Sequence, residues 1–251
     1  MSESERRGPC GTDTQHLINL SGYLWAREML GPSAAGKILD IASGTGYGAD
    51  VLSAGAERVV ACDDDLPALE ESKANYSRNN IVFLQCRGEN LPLRSGSFQA
   101  VVSLETVEHI PDDKGFISEL RRVLAPGGLL AMTTPFRETH CDHPQNPHHV
   151  REYSVDSLKR IIEPYFDIQL ILGRHPGAAM KAAENRMDHI RRFDFLSVRT
   201  LLPRSLRHRM ADVWLKLFGE TTLKELGAGD VRYTPDLSGA VSMALLARRR
   251  S

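Results

Sequence analysis

The sequence predicts an α/β fold in which helices wind on both faces of a mostly parallel sheet, and three observations carry that reading. Short apolar runs alternate with amphipathic stretches between residues 38 and 133, the pattern of strands joined by helical crossovers. The first run, Ile38-Leu39-Asp40-Ile41, leads straight into Ala42-Ser43-Gly44-Thr45-Gly46-Tyr47-Gly48. Glycine at every second position there lets the main chain turn sharply and a ligand lie against it. The second run ends in Asp63, 19 residues beyond Gly44, at a strand tip where a carboxylate can accept both hydroxyls of a ribose.

Taken in order, the first dozen residues are polar and contain glycine and proline, so residues 1–14 are expected to lack fixed structure. From Gln15 to Leu30 the apolar residues Leu17, Leu20, Leu24 and Met29 recur at helical spacing, and Gly31-Pro32 stops them. The alternation then predicts strand 38–41, helix 47–54, strand 58–62, helix 66–78 and strand 81–85. Strand 99–104 follows the turn Arg94-Ser95-Gly96-Ser97, and helix 114–124 leads through Pro126-Gly127-Gly128 into strand 129–133. After Pro135 comes a histidine-rich loop, then helix 155–162, strand 166–172 and a seventh, last strand at 240–247.

Residues 174–236 show no strand alternation; Met180 to Phe195 and Leu206 to Phe218 read as helices. The expected organisation is a ligand-binding domain of residues 15–173 and 237–251, interrupted by a helical insertion or lid at 174–236. Residues 174–216 hold ten Lys or Arg against four Asp or Glu. That excess fits either a solvated face or a lid that greets an anionic or lipid-linked substrate.

Composition narrows the function. A formal charge of −1 with 25% charged residues gives no global attraction to DNA or anionic lipid. Cys10, Cys62, Cys86 and Cys141 lie far apart with no C-x-x-C pair, and the N-terminus lacks the apolar stretch of a signal peptide, which points to a reducing, cytoplasmic setting. No apolar run approaches the roughly 18 residues of a membrane span. A P-loop is excluded because no Gly-Lys-Ser/Thr follows the glycines, and acyl transfer lacks its G-x-S-x-G elbow. Trp25 and Trp214 read as packing residues.

Strand, Asp40, alternating glycines and a second acid at Asp63 resemble motif I and the ribose acid of the class I S-adenosylmethionine (SAM) methyltransferases. Three further segments strengthen the resemblance: Glu89-Asn90-Leu91-Pro92 is similar to the adenine loop, Val101 to Ile110 to motif IV, and Leu120 to Leu130 to the Leu-x-Pro-Gly-Gly turn. The likeness spans about residues 15–172 and the last strand. It implies a Rossmann-like, seven-stranded, mostly parallel sheet and a SAM cofactor contacted by Tyr23, Asp40, Ala42, Gly44, Gly46, Asp63, Asp64, Gly88, Glu89, Leu104 and Glu105. Relatives carry an acid before an alanine in the adenine loop; Arg87-Gly88 stands there here, so the backbone of Gly88 and Glu89 is assigned that contact. Tyr23 resembles an aromatic that touches cofactor or substrate in relatives, and core packing accounts for it equally well.

Moving a sulfonium methyl requires an acceptor held in line, a base and exclusion of water. Glu105-Thr106-Val107-Glu108-His109 follows the fourth strand; as a helical turn it would put Glu105, Glu108 and His109 on one face. Asn146-Pro147-His148-His149-Val150-Arg151-Glu152-Tyr153 follows the fifth strand and emerges at the same sheet edge. This Glu-x-x-Glu-His with a later His-x-x-Glu-aromatic is similar to the metal site of the ubiquinone-pathway O-methyltransferases and of the small-RNA 3'-terminal 2'-O-methyltransferases. The similarity implies Glu105, Glu108, His109 and His149 as ligands of Mg2+ or another divalent metal, which would acidify an acceptor hydroxyl. The same Glu-His pair also occurs without metal, and His109 or His149 is then the general base. His140, Cys141 and His143 read as a lid rather than a second metal site.

The expected function is SAM-dependent methylation of a hydroxyl on a small molecule or sugar. The alternatives are an N-methyltransferase, an RNA 2'-O-methyltransferase, an NAD-dependent oxidoreductase sharing the glycine loop and ribose acid, and a non-catalytic SAM-binding module.

Overall fold

A computed structural model describes residues 14–178, 180, 181 and 227–250. The expected unstructured N-terminus with Cys10, nearly all of both helices assigned to 180–195 and 206–218, and Trp214 lie outside the described residues. The elements in order are α1 (Thr14–Leu30), a 3-10 turn (Gly31–Ala35), β1 (Lys37–Ile41), α2 (Tyr47–Ser53), β2 (Arg58–Asp63), α3 (Leu66–Asn75), β3 (Ile81–Gln85) and β4 (Phe98–Leu104). A second 3-10 turn (Val107–His109) precedes α4 (Asp113–Val123), β5 (Leu124–Pro135), α5 (Val155–Ile162) and β6 (Phe166–Pro176). A third (Ala228–Asp230) leads into β7 (Val231–Thr234), and β8 (Ser242–Arg249) ends the sheet.

The strands lie in the order β3-β2-β1-β4-β5-β8-β6-β7. β3 to β5 are mutually parallel, as in the register Ile38↔Val59 and Ile38↔Ala100, and β8 is antiparallel to both β5 and β6. The sheet is therefore Rossmann-like and mostly parallel as predicted, with eight strands rather than seven. The additional strand, β7, falls in residues assigned to the insertion, and β6 runs past residue 173 to meet it, pairing Gly173 with Thr234. Four residues, of which only Val231 is buried, form an edge strand too short to stand out from a polar stretch.

Both faces of the sheet are covered. Phe116, Ile117, Leu120 and Val123 of α4 with Leu158, Ile161 and Ile162 of α5 fill one side, while Trp25, Ala26 and Leu30 of α1 with Ala49 and Leu52 of α2 fill the other. That two-sided burial is why β1 and β4 read as continuous apolar runs without alternation. Trp25 stacks on Tyr233 of β7 at 5.5 Å between ring centres, a packing role as expected. The chain order reverses between β1 and β4, so the crevice at their carboxyl ends is where an open α/β sheet collects its ligand. No helix among the described residues is long and apolar enough to cross a membrane.

Candidate active site

The glycine loop is shaped by three left-handed residues, Ala42 (φ 57°), Gly44 (φ 55°) and Gly46 (φ 85°). Gly46 precedes α2, and a side chain there would stand 2.8 Å from Ser72. Asp63 fastens the loop to the next strand: Gly44 N–H donates to one carboxylate oxygen at 2.8 Å and Asp65 N–H to the other at 3.0 Å. Each oxygen keeps a second lone pair for a ligand hydroxyl. Burial raises the pKa of Asp63, against the pull of those two N–H groups.

A cavity of about 300 Å3 opens beside this loop, lined by Ala42, Gly44, Asp63, Asp64, Gly88 and Glu89 from the expected set, and also by Cys86, Arg87, Thr106, His109 and Phe116. A Cβ at Gly88 would lie 2.6 Å from the Phe116 ring, so glycine lets the loop after β3 close over an aromatic floor. Phe116 lies within the helix expected at 114–124 and is not among the expected site residues. Tyr23, Asp40, Gly46, Leu104 and Glu105 do not line this cavity.

Tyr23 and Asp40 form their own unit. Tyr23 is buried, its ring lies against Gly48, where a Cβ would fall 2.0 Å from it, and its hydroxyl donates to Asp40 Oδ1 at 3.2 Å. The second carboxylate oxygen of Asp40 has no partner among the described residues. Burial pushes the Asp40 pKa up to about 8, with the Tyr23 hydrogen bond pulling down and Asp63 pushing up. A carboxyl whose folded pKa lies above its unfolded value of about 3.9 destabilises the fold increasingly as pH climbs from about 4 to 8. The Asp40→Asn protein is accordingly expected to gain thermal stability on wild type as pH rises from 5 to 9; a difference in melting temperature that stays constant with pH would contradict this.

The second cluster lies at the carboxyl ends of β4 and β5. Val150 N–H donates to Glu108 O at 2.8 Å, which seats the 146–152 loop on the 107–109 turn and brings Glu108, His109 and His149 together with ligand atoms within 4.8 Å of one another. Glu108 is fully buried and accepts from Thr134 Oγ1 at 3.0 Å; its Oε1 stands 3.9 Å from His109 Nε2. Burial, then the charge of Glu105, drives the Glu108 pKa well up. His109 Nδ1 lies 2.9 Å from the His148 carbonyl and His149 Nδ1 lies 2.8 Å from Glu152 Oε1. Those acceptors assign N–H to both Nδ1 atoms and the lone pair to both Nε2 atoms, that of His149 accepting from Asn146 Nδ2 at 2.8 Å. Arg137 holds the other oxygen of Glu152. Burial opposes the Glu152 charge, and the bonds from Arg137 and His149 bring its pKa below the usual value.

Glu105 is not part of that triad. It takes a left-handed φ of 47° and the 3-10 turn begins only at Val107, so the i, i+3, i+4 face expected for residues 105–109 does not form. Its carboxylate turns instead to Arg174 Nη2, 3.0 Å away. Of the four residues expected to share one ion, Glu108, His109 and His149 come together and Glu105 does not. Nor does the histidine-rich loop make a second cluster: His140 faces Asp142 at 3.1 Å and Cys141 pairs with Glu152 across a bridge.

Residues 39–132 match the methyltransferase domain family, and the class I methyltransferase resemblance is borne out over that span. A protein of Mycolicibacterium smegmatis described as a probable S-adenosylmethionine-dependent methyltransferase is 35% identical over 167 residues, 63% of this chain and 63% of that one. The ubiquinone/menaquinone biosynthesis C-methyltransferase of Desulfotalea psychrophila is 31% identical over 118 residues, 44% of this chain and 48% of that one. This chain thus spans between about half and two thirds of the length of these relatives. Among solved structures, the fold is shared with an S-adenosylmethionine-dependent methyltransferase from Mesorhizobium loti at a TM-score of 0.57 and 15% identity, over 93% of this chain and 100% of that one.

Proposed function

We propose that this protein is a SAM-dependent methyltransferase that acts on a hydroxyl of a small molecule or sugar. The observation that carries the reading is a donor-type cavity, bounded by the glycine loop and Asp63, with His109 in its wall and His149 packed against that imidazole. SAM supplies an electrophilic methyl when bound. The residues fit such a donor: Asp63 offers lone pairs to the ribose, the loop at Gly44 leaves main chain bare, and Gly88 lets the loop after β3 lie against the Phe116 ring, both of them in the cavity wall. The protein's remaining work is to hold the acceptor in line and take its proton.

His109 lines the donor cavity and His149 packs edge-on against it at 4.9 Å between ring centres. Glu108, His109 and His149 would hold a divalent ion, which would lower the pKa of an acceptor hydroxyl. Carboxylate and imidazole donors suit Mg2+, Mn2+ or Zn2+, and each ring is anchored through Nδ1 by a carbonyl or carboxylate, the usual support for histidine ligands. A cytoplasmic setting and no DNA partner belong to the same proposal. A second reading, methylation at carbon, is favoured by the quinone-pathway relative. The test is transfer of a labelled methyl from SAM to a catechol, with and without chelator. An O-methyl product lost in EDTA and restored by Mg2+ or Mn2+ is expected; a C-methyl product, or full rate in chelator, would overturn the corresponding part.

A further inference from the structure

Arg151 stands between the two segments that carry the imidazoles. Its backbone belongs to the 146–152 loop with His149, while its side chain crosses to the stretch that follows His109: Nη1 donates to the Ile110 carbonyl at 3.0 Å and Nη2 to the Pro111 carbonyl at 2.8 Å. Nη1 also lies 3.0 Å from Asp113 Oδ2 at the start of α4, and the side chains of both partners are only 16% exposed. That carboxylate oxygen is held in turn by the hydroxyl of buried Tyr153 at 2.8 Å. The guanidinium stays charged at any ordinary pH, so each of these bonds is charge-assisted.

The carbonyls it holds belong to irregular backbone. Residues 110–112 lie between a 3-10 turn and α4, and Ile110 is extended at φ −92° and ψ 117°, as the following proline requires. A planar fork with parallel N–H groups meets two neighbouring carbonyls there, which the single ammonium of lysine cannot copy. His109, Ile110 and Pro111 all line the donor cavity, whereas no residue of 146–152 does. The Arg151 side chain thus joins a wall that a donor would touch to a loop that it would not. The main chain makes a separate link, Val150 N–H to Glu108 O at 2.8 Å, so the loop stays seated when the side chain is shortened.

We propose that Arg151 is a positioning residue: by gripping Ile110 and Pro111 it makes the placement of His149 depend on whether the donor cavity is filled. This rests on the SAM reading above. A ligand in the cavity steadies its wall, the wall carbonyls fix the guanidinium, and the guanidinium fixes the loop that presents His149 to His109. The second imidazole is then held in place when a methyl donor is there to use it.

Hydrogen exchange of the full chain with and without S-adenosylhomocysteine reads this coupling without any acceptor or metal. In the wild type the ligand is expected to slow exchange by about fivefold or more, the lower end of ordinary coupling between sites, both at 107–116 and at 148–152, although the second segment does not touch the cavity. Arg151→Met should keep the first protection, hold S-adenosylhomocysteine affinity within about threefold by calorimetry, and cut the second protection to less than about twofold. Arg151→Lys retains a charge beside Asp113 and serves if the methionine variant does not fold; its protection at 148–152 should fall between the two. A residue that only supports the fold would raise exchange with and without ligand alike and leave the ligand-induced ratio unchanged. That result, or wild-type protection that stops at the cavity wall, overturns the proposal. Wild-type protein that binds no S-adenosylhomocysteine overturns the donor reading itself, an outcome distinct from both.

Discussion

Replacing Asp63 with alanine is expected to weaken S-adenosylhomocysteine binding by about 10- to 150-fold for each charged hydrogen bond lost to the ribose. The effect should be large because the carboxylate does two jobs. It offers lone pairs to the ligand while its oxygens hold Gly44 N–H and Asp65 N–H at 2.8 and 3.0 Å. Without it, two loop N–H groups lose their acceptor and the left-handed conformations of Ala42 and Gly44 lose a restraint. Asp63→Asn should not rescue fully, since an amide offers one acceptor oxygen and turns its NH2 toward an N–H donor. Calorimetric titration of both variants is the check, and an unchanged affinity for Asp63→Ala would remove Asp63 from the donor site.

The second large effect is expected at the histidines. His109→Ala or His149→Ala should lower turnover by about 10²- to 10⁴-fold, the usual range for a lost proton acceptor, and more where a cation's charge stabilisation goes with it. Affinity for S-adenosylhomocysteine should hold in His149→Ala, because His149 is absent from the lining of the donor cavity whereas His109 is part of it. Glu152→Gln, which keeps the size of the group but weakens the anchor on His149 Nδ1, should give a smaller loss. Turnover and binding measured side by side decide the matter. Histidine variants with wild-type turnover would leave the 107–109 and 146–152 segments as scaffold alone.

The two clusters differ in how legible they were. The glycine loop and Asp63 could be read because their function depends on backbone freedom and on strand-end placement, and both are written directly in residue type and spacing. The parallel order followed from apolar runs that are buried on both faces, such as 38–41 and 100–104. Glu105 was misplaced for a different reason: assigning it to a helical face assumed right-handed backbone, and a φ of 47° at a glutamate leaves no mark in the sequence. Arg174 was counted only as one positive charge of a basic stretch, since its burial arises from pairing across β6, β8 and β4, contacts distant in sequence. Phe116 carried a periodic signal, but that signal means core unless a glycine such as Gly88 is known to face it. β7 was missed because a four-residue edge strand owes its existence to its neighbour β6 rather than to its own pattern.

The most direct measurement is a calorimetric titration of the purified chain with S-adenosylhomocysteine and, separately, with NAD. One-to-one binding of the thioether nucleoside, lost on Asp63→Ala, together with no heat from NAD, is the expected result. Binding of NAD, or silence toward S-adenosylhomocysteine, would contradict the claim that the glycine loop and Asp63 form the seat of a methyl donor.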